Sequence, residues 1–146
     1  MAKLPEHIAR VISNTLKESD DPDTQTACVI VTRNASAIAA SNGLPAGVEV
    51  TAERTTRPRK YVFVMHAERR AICRASKDGL STERATMYLN WFPCSDCAQA
   101  IIEAGISRLV CDKVAYDERY LDPRYGFAEA MEMLREAGVR IDWSER

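Results

Sequence analysis

Residues 85–111 read ATMYLNWFPCSDCAQAIIEAGISRLVC, and the succession of patterns within them decides the fold class. Ala85–Asn90 is a short apolar run of strand length. Over Cys94–Ala104 the period changes: Ala98, Ile101 and Ile102 share one helix face, and Gly105 stands where a helix stops. Ile106–Cys111 is again a strand. Strand, helix, strand in so few residues is the repeating unit of an α/β sheet.

Working outward, the same alternation recurs on both sides. Upstream, His66–Gly79 has Ala67, Ala71, Ile72 and Ala75 on one face, with Tyr61–Met65 as a short apolar approach to it. Thr26–Thr32 is a β-branched run, and Ala35–Ser41 follows as a second, weaker strand. Arg33-Asn34 between them predicts a tight hairpin, which makes the sheet mixed. Leu4, Ile8, Val11, Ile12 and Leu16 form one face of an N-terminal helix. Downstream, Phe127, Met131 and Leu134 mark a last helix that ends at Gly138, and a short strand runs through Ile141. Residues 42–60 and 112–124 read as loops. The expected architecture is a three-layer α/β/α domain on a mixed, roughly five-stranded sheet, with residues 1–146 as a single domain.

Composition narrows the function classes. Of 146 residues, 46% are hydrophobic and 28% charged, a globular profile. Twenty basic residues stand against 21 acidic ones, a net charge of -1, which argues against a polynucleotide as partner. No apolar run approaches the ~20 residues of a spanning helix. The N-terminal stretch has no apolar secretory core, so a cytoplasmic location is expected. Five cysteines, an odd number, argue against a disulfide framework. Cys28, Cys73 and Cys111 fit ordinary packing positions.

Two fragments carry chemistry: His66-Ala67-Glu68 and Pro93-Cys94-Ser95-Asp96-Cys97. Each opens a helix. Alone, the Cys pair fits a redox dithiol or half of a structural zinc site. Taken together, His66, Cys94 and Cys97 are three zinc ligands, and a zinc with three protein ligands keeps a fourth position for water. A structural site needs a fourth ligand, and neither His7 nor the remaining thiols are spaced to supply it. The positive end of a helix dipole favours thiolate over thiol. Glu68, two residues past His66, is suited to proton transfer rather than ligation.

HxE followed by PCxxC resembles the signature of the cytidine-deaminase-like zinc hydrolases, and the chain is most similar to the deoxycytidylate deaminases. Asp21-Pro22, Ser41-Asn42-Gly43-Leu44-Pro45-Ala46-Gly47 and Ile101-Ile102 with Gly105-Ile106 stand in that family's order. The resemblance implies one zinc ion per chain and hydrolytic release of ammonia from an aminated pyrimidine, deoxycytidylate giving deoxyuridylate. It implies that Glu68 protonates the ring nitrogen and the departing amine, that the Ala67 amide meets the ring carbonyl, and that Asn42 contacts the sugar or ring edge. Trp91 and Phe92 are expected to wall the base. Relatives assemble as homo-oligomers.

The chain departs from the family at Arg70, where Asn is common, and at Gln25, where a basic residue is common. Arg57, Arg59 and Arg70 are therefore candidate phosphate or specificity contacts. The alternative is a deaminase of another small aminated heterocycle (a free base, nucleoside, modified purine or pterin) that does not recognise phosphate. A polynucleotide deaminase and a zinc-stabilised binding module without turnover are weaker alternatives.

Overall fold

A computed structural model describes residues 1–145. Five strands form one sheet: β1 Ala27–Val31, β2 Ala37–Ser41, β3 Thr86–Leu89, β4 Arg108–Asp112 and β5 Arg140–Ser144, in the order β2-β1-β3-β4-β5. β1 pairs antiparallel with both β2 and β3, while β3, β4 and β5 run parallel. The sheet is mixed, as expected.

The helices are α1 Glu6–Leu16, α2 Ala52–Thr55, α3 Lys60–Phe63, α4 Ala67–Lys77, α5 Ser95–Glu103, α6 Lys113–Arg119 and α7 Phe127–Glu136. Side chains alternate across a strand, so β1 serves two cores. Cys28 and Ile30 join the larger core with α4, α5 and α7, where Ala71, Ile101, Phe127 and Leu134 are fully buried. Ala27 and Val29 face Ile8 and Ile12 of α1. α4 presents Ala67, Ala71 and Ala75, all fully buried, to its neighbours. Small residues at four-residue spacing let this helix lie close against β1 and β2.

Three local expectations are corrected. The hairpin does not turn on Arg33-Asn34 alone. Thr32 donates from its backbone N to Ser36 O at 2.8 Å, leaving a three-residue loop whose last residue, Ala35, has φ 65. Such loops close with a left-handed residue. The 42–60 loop holds α2, and α3 runs on from it through the approach to His66; both are too short to show a helical period. Thr51 caps α2 by accepting from Arg54 N. Within 112–124 lies α6, capped by Asp112, which accepts from Ala115 N at 2.9 Å and is followed by the Lys113–Asp117 pair. An Asp cap and an i,i+4 ion pair are readable signals; the density of charge there obscured them.

Candidate active site

Two helix N-termini converge at one end of the sheet. His66 is the N-cap residue of α4 and Cys94 that of α5, both with extended backbone. Pro93, delivered by the end of β3, is buried and fixes the approach to α5. One helical step on, Cys97 turns back toward Cys94.

The ligand atoms of His66, Cys94 and Cys97 lie within 4.8 Å of one another. Both sulfurs are 3.4 Å from His66 Nδ1. A tetrahedral zinc with Zn–S of about 2.3 Å and Zn–N of about 2.05 Å requires S···N separations of roughly 3.5 Å. The trio therefore fits zinc in both donor type and spacing. Among the described residues it is the one such group.

Proton sharing within the trio favours a thiolate. A hydrogen bond from Cys97, aided by His66, holds the Cys94 thiol down at about 4. The same Cys94–Cys97 bond, with burial, drives Cys97 upward. The Cys94 partnership raises His66. Glu68 is 4% exposed. Burial raises its pKa, with His66 opposing that rise, so this carboxyl holds a proton more readily than a surface glutamate does.

The cleft over this group is lined by His66, Glu68 and Cys94 on one side and by Asp21, Thr24, Thr26 and Asn42 on another, with Trp91, Tyr125, Arg57, Lys60 and Tyr61 completing it. Asn42 lines the cleft with its amide already engaged. Its Oδ1 accepts from Thr26 N and Ser19 Oγ, and its Nδ2 donates to Thr24 O. Ala67 is fully buried behind the site, its carbonyl accepting from the Cys28 thiol at 3.2 Å. Trp91 stands edge-on to Tyr125 with the Arg119 guanidinium 4.1 Å from its ring. Phe92 contributes from beneath: it is fully buried, and its ring packs against Tyr116, Phe127 and Trp143.

The three arginines part company. Arg57 is exposed and lines the cleft. Arg59 pairs with Glu53 and covers the Phe63 ring, away from the cleft lining. Arg70 turns to the edge of the sheet and donates to Ser41 O at 3.0 Å; its position next to the site in sequence does not carry its side chain there.

One feature of the cleft escaped the sequence reading. Lys60 and Asp21 form a buried pair at 3.0 Å, each side chain 6% exposed. Asp21 also accepts from the backbone N–H groups of Asp23 and Thr24. The Asp-Pro-Asp-Thr run, an Asx-turn sequence, signals the backbone bonds of Asp21 but not its pairing with Lys60.

A mixed sheet layered with helices, with His, Cys and Cys set for zinc beside a buried carboxylate, defines a zinc-dependent deaminase domain. The family described as cytidine and deoxycytidylate deaminase zinc-binding region matches residues 3–113, and the chain belongs to it. The "uncharacterized deaminase in luxG 3'region" of Aliivibrio fischeri is 35% identical over 86% of this chain and 82% of that protein. Human deoxycytidylate deaminase is 34% identical over 73% of this chain, and the match spans 62% of the human protein. The dCMP deaminase of cyanophage S-TIM5, solved in apo form, shares the fold with a TM-score of 0.72 over 94% of both chains at 20% identity. Among the described residues, no helix is long and apolar enough to cross a membrane.

Proposed function

We propose that this chain hydrolyses deoxycytidylate to deoxyuridylate and ammonia, with His66, Cys94 and Cys97 holding one zinc ion and Glu68 carrying the proton. The observation that supports this most is the buried Glu68 carboxyl in the same cleft as three donor atoms at zinc spacing. Zinc held there supplies a Lewis acid that activates a water for attack on the carbon bearing the exocyclic amine. Glu68 would take one proton from that water and place it on the ring nitrogen, then carry the second proton of the attacking oxygen to the departing amine, so that the carbonyl forms as ammonia leaves. Atoms balance as substrate plus water giving product plus ammonia. Trp91 and Tyr125 flank the flat base, the Ala67 amide meets the ring carbonyl, the second Nδ2 proton of Asn42 reaches the sugar or ring edge, and Arg57 at the mouth meets the phosphate.

The human relative, a deoxycytidylate deaminase by name, supports this choice of substrate. The reading takes residues 1–146 as a single domain, consistent with one continuous sheet. It also places the protein in the cytoplasm, where five free cysteines persist, and takes it to act as a homo-oligomer. Val62 and Leu121, 84% and 86% exposed, are apolar side chains that a second subunit would cover.

One observation favours a second reading, a deaminase of an unphosphorylated heterocycle. The buried cation of the cleft, Lys60, is already neutralised by Asp21. The deciding experiment measures ammonia release from deoxycytidylate, deoxycytidine, cytosine and a set of aminopurines and pterins. A clear preference for the monophosphate supports the first reading. Equal or better turnover of an unphosphorylated compound supports the second, and no turnover of any compound overturns both.

A further inference from the structure

β2 is an edge strand, and its odd-numbered residues turn their backbone groups outward: Thr32, Asn42 and their partners show that the even positions pair with β1. The outward positions are nonetheless occupied, in order, by one segment of chain. Gly43 exchanges two backbone hydrogen bonds with Met65, at 3.0 and 2.8 Å. Ser41 O accepts from Arg70 Nη1 at 3.0 Å, and Ala39 O accepts from Arg74 Nη1 at 2.8 Å. His66 and Glu68 lie between the first of these contacts and the second.

The spacing is a geometric match. Four residues of helix advance about 6 Å, and two residues of strand about 6.6 Å. Arginines four apart on α4 therefore meet carbonyls two apart on β2 without bending either element. A slip of the helix by one residue would break both bonds together. Gly43 belongs to the same fitting: a Cβ there would lie 2.5 Å from Asp20 Oδ2 and 2.8 Å from Arg70 Nη1.

We infer that Arg70 and Arg74 are positioning residues, which use the outer carbonyls of β2 as a ruler to fix the register of α4 and with it His66 and Glu68. Neither arginine lines the cleft. Arg70 thus has a structural purpose at the place where the sequence departs from its family. The inference rests on the proposed zinc site at His66, and one arm of its test is independent of substrate.

The test compares the parent with Arg70→Ala, Arg74→Ala, the double variant and Arg70→Lys, each loaded with zinc. The first measurement is the rate of zinc transfer to a chromogenic chelator. The second is kcat and KM for the best substrate of the parent. The double variant is expected to release zinc faster by roughly tenfold or more and to lose kcat by a similar factor, the usual range for groups that orient metal ligands. KM should stay near the parent value. Arg70→Lys, which still donates to Ser41 O, should recover most of both. Parent-like zinc release and kcat in the double variant would overturn the inference, as would a loss of thermal stability alone with both unchanged. Should the double variant fail to fold, the single variants answer the same question. An inactive parent would defeat the proposed reaction, while zinc release would still decide the register role.

Discussion

Removing Lys60 or Asp21 tests whether the cleft is built on a desolvated ion pair. Both side chains are 6% exposed, so neither is hydrated enough to lose its partner freely. Breaking a buried pair by deleting one member typically costs about 3–5 kcal/mol. The two sides differ here. Lys60→Met leaves Asp21 with backbone donors at 2.8 and 3.1 Å, which brings the loss to or below the bottom of that range, at about 2–3 kcal/mol. Asp21→Asn leaves Asp23, at 3.9 Å and with a 61% exposed side chain, as the carboxylate paired with Lys60, so about 3–4 kcal/mol is expected. At 2–4 °C per kcal/mol for a chain of this size, Tm should fall by about 4–12 °C for Lys60→Met and about 6–16 °C for Asp21→Asn. The double variant removes both charges and should lose less than the sum, with a coupling on the order of 2 kcal/mol. Burial pushes the Asp21 carboxyl up, but the Asp23 and Thr24 amides and Lys60 outweigh it and hold the pKa below its ordinary value. The resulting stabilisation is complete above the unfolded pKa of about 3.9 and is lost as pH falls through the lower folded value. The gap between parent and Asp21→Asn should accordingly narrow in acid. Thermal and urea unfolding of all four proteins measure this. Singles within about 1 kcal/mol of the parent, or strict additivity in the double, would refute the argument.

Elemental analysis should find one zinc per chain, and Cys94→Ala should lose both metal and activity; full zinc in that variant would remove Cys94 from the ligand set. Glu68→Gln should remain folded and zinc-loaded while kcat falls by roughly 10²–10⁴-fold, the size of a general acid–base contribution; loss of zinc with an unchanged rate per bound metal would make Glu68 a ligand instead. Arg57→Ala should shrink the ratio of kcat/KM for deoxycytidylate over deoxycytidine, whereas Arg59→Ala, whose guanidinium is held by Glu53, should leave that ratio alone. The reverse pattern would show that the two arginines have exchanged roles on substrate binding.

What could be read from the sequence follows the range of the interactions involved. The places of His66, Glu68, Cys94 and Cys97 at one cleft were legible because each motif starts a helix within four residues. The strands were legible from period, and the mixed character of the sheet from the short connection at Arg33-Asn34. α2 and α3 were not, because a single turn has no period, and α6 was hidden by its own charge. Lys60 and Asp21 sit 39 residues apart, and nothing local to either announces the other. The direction of Arg70 depends on which strand forms the edge, a fact of topology rather than of its neighbours in sequence.

That edge bears on how the molecule avoids sticking to itself. An open strand border is a template on which another chain can lengthen the sheet. With the Ser41 and Ala39 carbonyls taken by guanidinium groups and Gly43 paired to Met65, an incoming strand at β2 would meet donors without the alternating acceptors it needs. At the opposite border Ala2 forms a parallel bridge with Ser144 and donates to Trp143 O. Neither border is wholly open: three successive outward positions of β2 are taken, and the C-terminal end of β5 carries the Ala2 bridge, so strand-by-strand growth meets an obstacle at each.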